Sequence, residues 1–194
     1  NLCFDRYRYD YGGRVLGAAG SPVTVESEVR SGEPPLPEQP PAIHSRVGID
    51  LQPLDVTDPD DADWLRALVW PAHTERRELL GAALRVASES PPPLVEGDLL
   101  DDLPAVLDTI PADVPVCVFN TLVLYQVPES VCTALVDLLR ERIAERPLHW
   151  LTGAPELSGG DSVTLEWVRQ TDGTVRRDPL VDHGPHGAWL DWRG

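Results

Sequence analysis

The sequence predicts an α/β fold: a mostly parallel sheet with helices on both faces and an antiparallel hairpin at the C-terminal end. Three observations carry this. Short apolar runs of strand length alternate with longer runs of helical period, three times in succession. Three of those strand runs end in a polar residue, Asp50, Asp98 and Asn120, and carboxyl ends of strands form the ligand crevice of open α/β sheets. The C-terminal stretch then changes to period-two alternation around Asp172-Gly173, a hairpin turn signal.

The elements follow in order. FDRYRYDYGG (4–13) interleaves Tyr7, Tyr9 and Tyr11 with charged residues; such a cluster either packs beside a core or stacks on a planar ligand. SPVTVESEVR (21–30) alternates and reads as a half-exposed strand. Residues 31–41 form a Pro-rich loop, with five prolines from Gly32 to Pro41. A strand over 46–50 ends at Asp50. Asp58 caps the helix that follows, with Pro59 at its first position and Trp64, Leu65, Leu68 and Val69 as its apolar face. Thr74 caps a second helix, and prolines 91–93 end it. Leu94 to Asp98 is a second acid-ended strand, and 101–110 a short helix. Pro115 to Phe119 suits a strand buried on both faces, with Cys117 a buried free thiol and Asn120 next in line. Glu129 to Glu145 is the clearest helix, lined by Val131, Leu135, Leu138, Leu139 and Ile143. PLHWL (147–151) is the next strand. Strands over 162–168 and 174–177 flank the hairpin turn, and HGAWLDW (186–192) supplies a final one.

Composition narrows the function classes. The chain has 194 residues with a net charge of -16, and all 16 bases are Arg. An acidic surface repels nucleic acid and anionic lipid. The acids are spread rather than blocked, which points to a halophilic setting, where a Debye length of about 3 Å at 1 M salt removes self-repulsion. The best apolar window, 114–127, is broken by Pro115, Asn120 and Gln126, so no membrane span is expected. No signal peptide is visible and three cysteines share no short spacing, which points to a reducing cytoplasm. The missing Met at the start suggests a cut inside a longer protein.

The chemistry rests on the three strand ends. Asp50 can accept both hydroxyls of a ribose or merely close a turn; Asp98 can take an adenine amino group; Asn120 can face a reacting centre. Turns after strands often carry such residues for local reasons. His183 and His186 lack a third ligand and Gly184-Pro185 between them forbids a helix, so no metal site is expected. Ser158-Gly159-Gly160-Asp161 lacks the strand-to-helix setting of a phosphate cradle.

RYRYDYGG, SRVGIDLQPLDVTDPDDADWLRALVWP, PPLVEGDLLDDLP, VCVFNTLVLYQVP and HGAWLDW together resemble the prokaryotic family called domain of unknown function 2332, over nearly the whole chain. Sequences of that family look like class I S-adenosylmethionine-dependent methyltransferases. The resemblance therefore implies a single Rossmann-like, methyltransferase-like domain over 1–194, truncated before Asn1 by the loss of the first strand and its glycine loop. It implies S-adenosylmethionine as cofactor, held by Asp50 and Leu51 on the ribose side and by Asp98 and Leu99 on the adenine side, with Asn120 as the catalytic candidate. The Asp/Asn-Pro-Pro-aromatic box of enzymes that methylate nucleic acid amino groups is absent, since the sequence reads Asn120-Thr121-Leu122. A small molecule or protein group is then the expected substrate. A non-catalytic binding or scaffold domain that has lost the cofactor site is the alternative, and a nicotinamide-binding enzyme a third reading.

Overall fold

The computed structural model describes residues 2–39, 41–155 and 162–194, and its backbone divides into two compact units. The first comprises residues 1–26 and 36–98, the second residues 27–35 and 99–194. The Ser158–Asp161 loop lies outside the described residues, as does Pro40 of the Pro-rich loop.

In the first unit, β1 (Arg8–Asp10), β2 (Val15–Gly17) and β3 (Thr24–Glu26) form a small sheet, β1 pairing antiparallel with β2 and parallel with β3. The turn between β1 and β2 runs through Gly12 and Gly13 at positive φ, a region glycine enters without a steric penalty. Cys3, Tyr7, Val23, Ala82 and Val86 make a buried cluster, flanked by Tyr9, Val25, Ala83 and Ala87. The tyrosines are thus packing residues: Tyr7 is buried, the Tyr9 hydroxyl donates to the Phe4 carbonyl at 2.7 Å, and Tyr9 stacks on Tyr11. Burial pushes the Tyr9 and Tyr11 phenols above their ordinary range. Arg46 anchors the start of the chain through a two-pronged ion pair with Asp5 at 2.5 and 2.9 Å and a bond to the Leu2 carbonyl.

A second, two-stranded sheet in this unit pairs β5 (Gly48–Asp50) and β6 (Leu94–Glu96) in parallel. Between them run α1 (Pro59–Ala67) and α2 (Thr74–Glu89). Asp58 caps α1 as its sequence predicts, accepting from the Asp60 and Asp61 amides. His73, not Thr74, occupies the N-cap of α2, with no side-chain bond to the first turn. Trp64 and Leu68, expected to bury the apolar face of α1, are 58% and 60% exposed, and Ala62 is the residue that goes inside.

The second unit is built on a six-stranded sheet of order β4-β11-β10-β9-β8-β7. These are β4 (Glu28–Ser31), β7 (Val116–Thr121), β8 (Leu148–Pro155), β9 (Val163–Thr171), β10 (Thr174–His183) and β11 (Trp189–Trp192). Only β7–β8 and β11–β4 are parallel; β8–β9, β9–β10 and β10–β11 are antiparallel. The sheet is therefore mixed, not mostly parallel. The antiparallel part is larger than the single hairpin expected, because both β8→β9 and β10→β11 also return directly beside their predecessors. The Asp172-Gly173 hairpin is present, with both residues at positive φ. The expected strand over 21–30 is split at Ser27 into β3 and β4, which belong to different units.

Helices α3 (Leu99–Asp108) and α4 (Glu129–Glu145) complete this unit. Leu135, Leu139 and Ile143 of α4 are buried, and the helix packs on β8, β9 and β10. Leu103, Leu107, Leu148, Trp150, Val163 and Val168 share the core. The Arg146 guanidinium donates to the carbonyls of Leu107, Ile110, Pro111 and Val114 at 2.8–3.3 Å. It collects the orphan acceptors that a helix end exposes and joins the end of α3 to the approach to β7. Strand β7 lies at the sheet edge, and its residues alternate between half-buried and exposed because only one of its faces is packed. Cys117 takes an outward position and is exposed, against the expectation of a buried thiol. None of the three cysteines is in a disulfide. No described helix is long and apolar enough to cross a membrane.

Candidate functional site

The rim at the carboxyl ends of β5 and β6 is built by register. Gly48 pairs with Leu94, Ile49 with Val95 and Asp50 with Glu96. Gly48 also makes room: a Cβ there would come within 2.7 Å of the Leu94 side chain. The Gly97 amide donates to the Asp50 carbonyl at 2.9 Å, so the β6 chain is held against the end of β5 one residue before Asp98. Asp50 and Asp98 are brought together in this way, and both are exposed.

Asp50 does close a turn. Its Oδ1 accepts the Gln52 amide at 2.9 Å, an Asx turn. The second oxygen, Oδ2, has no partner among the described residues, which leaves the carboxylate able to accept from outside. Leu51 beside it is 72% exposed. An apolar side chain next to a carboxylate at a strand end suits a planar base above a ribose. Leu99 is partly buried at the start of α3. The rim thus offers two exposed carboxylates, which accept hydrogen bonds, beside an exposed apolar side chain.

Asn120 sits on the six-stranded sheet of the second unit, whereas β5 and β6 form their own two-stranded sheet in the first. Its side chain is already engaged. Oδ1 accepts from Trp150 Nε1 at 2.7 Å, and Nδ2 donates to Thr152 Oγ1 at 3.1 Å. Trp150 and Thr152 are buried on β8, and register explains the meeting: Val118 pairs with Trp150 and Asn120 with Thr152. Asn120 therefore ties β7 to β8, a task the isolated segment VCVFNT gives no sign of. The two polar partners, Trp150 and Thr152, went unnoticed because they lie about thirty residues away in a run that reads as plain apolar strand; their i, i+2 spacing on one strand face is the signal that could have found them.

Two residues beyond Asn120 the chain turns sharply. Leu122 has φ of 57°, and its amide donates to the Gly153 carbonyl at 2.9 Å. Gln126 Nε2 donates to the Leu122 carbonyl at 2.6 Å, and the Cys132 thiol to the Leu124 carbonyl at 3.3 Å.

His183 Nδ1 lies 2.9 Å from the carbonyl of its own neighbour, Gly184. Among the described residues no group of three or more His, Cys, Asp or Glu side chains is arranged to hold a metal ion.

A family model described as "Uncharacterized protein conserved in bacteria (DUF2332)" matches residues 1–192. No curated protein and no solved structure matches the chain.

Proposed function

We propose that this chain, which belongs to the DUF2332 family, holds the nucleoside part of S-adenosylmethionine on the β5–β6 rim and serves methyl transfer to a small molecule or protein group. The single observation behind this reading is the Asp50 rim: an exposed carboxylate with one oxygen to spare, an exposed Leu51 beside it and Asp98 two residues past the paired strand. Asp50 accepts the ribose hydroxyls, Leu51 covers one face of the base, and Asp98 with Leu99 takes the amino edge. The bound cofactor supplies an activated methyl group on a sulfonium, so the protein's task is chiefly positioning. Asn120 fixes the end of β7 to β8 within the second unit. The amino acid end of the cofactor needs a glycine turn that lets backbone approach closely. It carries a cytoplasmic location, supported by three cysteines none of which is in a disulfide.

Titration calorimetry with S-adenosylmethionine tests it, on the 194-residue chain and on a version extended upstream. The extended protein is expected to bind and to lose roughly tenfold to a hundredfold in affinity on Asp50→Ala, the worth of a charge-assisted hydrogen bond. Equal binding with and without Asp50 removes it from the site, and absence of binding by the extended protein ends the cofactor reading.

A non-catalytic binding domain is the second reading. The observation favouring it is that the Asn120 side chain spends its acceptor and one donor within the protein.

A further inference from the structure

One face of the six-stranded sheet carries a row of rings and charges across β8, β9 and β10. Leu148 and Trp150 are buried in the core that α4 covers. His149, between them on β8, therefore takes the opposite face. Register places Trp167 opposite Leu151 and Asp178 opposite Trp167, so both share the face of His149. Trp167 Nε1 donates to His149 Nδ1 at 3.2 Å, with the ring centroids 5.5 Å apart. The Arg169 guanidinium lies over the same indole, 3.8 Å from its centroid, and its Nη2 pairs with Asp178 at 3.2 Å. All four residues are partly buried.

The bond between the two rings requires one protonation state. An indole N–H can only donate. His149 Nδ1 must then accept, and the neutral ring keeps its proton on Nε2. A second proton goes to Nδ1 and sets a donor against a donor. The neighbours offer the new charge no partner. β9 brings Arg169, a cation already stacked on the indole. β10 brings Asp178, which Arg169 holds, and Arg176, the register partner of Arg169. β7 brings the Cys117 thiol, the register partner of His149. The turn Leu124–Gln126, which also meets β8, adds only the Tyr125 phenol, and the charges of α4 lie across the sheet, behind Trp150. We infer that His149 is a proton-operated latch: the neutral imidazole holds the Trp167 indole against the sheet, and the imidazolium releases it and loosens the Arg169 stack. The latch does not depend on the function proposed above.

Nitrogen–proton correlation spectra of the full chain test it through the six Trp indoles, with Trp167→Phe identifying the signal concerned. From about pH 8 to about pH 5.5, within the range where imidazoles change charge, the Trp167 indole proton is expected to move upfield along a one-proton curve, as a lost hydrogen bond requires. His149→Gln supplies an acceptor oxygen that does not titrate, and its Trp167 signal is expected to stay in place. His183→Gln removes another imidazole of the same unit and leaves the parent curve unchanged. The parent's imidazole nitrogens give a second reading that needs no variant: at about pH 8 His149 is expected to carry its proton on Nε2. A proton on Nδ1 at that pH overturns the latch. So does a Trp167 signal that is still in the parent, that moves equally in His149→Gln, or that stops responding in His183→Gln. Unfolding of the parent and of His149→Gln at one and the same pH within the range overturns it too.

Discussion

Asp50 and Asn120 stand at equivalent places in the sequence pattern, each ending an apolar strand run, yet the structure uses them in opposite ways. Asp50 is exposed on a two-stranded ladder and holds one amide of its own turn, and its second oxygen has no partner among the described residues. Asn120 is partly buried on a six-stranded sheet and spends its amide on Trp150 and Thr152. The difference teaches that a polar strand end stays open to an outside group only where its register neighbours leave it unsatisfied. Opposite Asp50 stands Glu96, an acid with nothing to donate; opposite Asn120 stands Thr152, which offers a hydroxyl.

Stability measurements can break this comparison. The largest effect is expected for Asn120→Ala, which strands the Trp150 N–H in the core: about 2–3 kcal/mol, or roughly 4–12 °C in melting temperature for a chain of this size. Asn120→Asp keeps an acceptor for Trp150 and should lose much less. An Asn120→Ala protein that melts within a degree of the parent would show that the network is not holding β7 to β8.

Next in size is the anchor of the Asp50 unit itself. Arg46→Ala removes the two-pronged pair with Asp5, both side chains largely shielded, and should cost about 1.5–3 kcal/mol at neutral pH. The hydrogen bond from Arg46 holds the Asp5 carboxyl below its ordinary value of 3.8. A lowered folded pKa means that the contribution is complete above that value and fades as the pH falls through Asp5's own. Denaturant melts of parent and variant should therefore differ at pH 7 and converge in strong acid. Curves that stay apart below pH 2 would assign the loss to packing, not charge.

Asp50→Ala should change stability by about 0.5 kcal/mol or less, the usual range for an exposed turn residue. A drop comparable to that of Asn120→Ala would make Asp50 a structural residue and erase the contrast. The smallest difference between the regions is expected from salt. The 32 acids divide 15 to 17 between the units and the 16 Arg equally, so self-repulsion acts on both. Raising KCl toward molar should lift the melting temperature of the whole chain, with hydrogen exchange slowing alike in β5 and β8. A flat or falling melting temperature argues against the halophilic reading.

Local signals carried much of this architecture. The Asp58 cap, the Asp172-Gly173 turn and the α4 face each depend on residues within a few positions of one another. What was hidden depends on pairing over distance. Alternation cannot say that β9 returns beside β8, or that VCVF lies at an edge, so the mixed sheet and the exposed Cys117 were invisible. Trp64 and Leu68 repeat at helical spacing, but spacing does not guarantee a surface to bury against. The turn at Asp50 was legible because an acid after a strand is a local feature; the engagement of Asn120 was not, because Trp150 lies thirty residues on.

The edge position of β7 has a consequence for handling the protein. VCVFNT carries no charge and no proline, its outer edge pairs with no strand among the described residues, and Phe119 is 41% exposed. Natural edge strands are guarded by charges, prolines or bulges against joining a second chain. Here the guard is the overall acidity of the molecule, which acts only while it is unscreened. The salt that relieves repulsion within one chain also relieves it between chains. Solubility and folding stability should then respond to KCl in opposite directions, with turbidity setting the upper limit of the useful range.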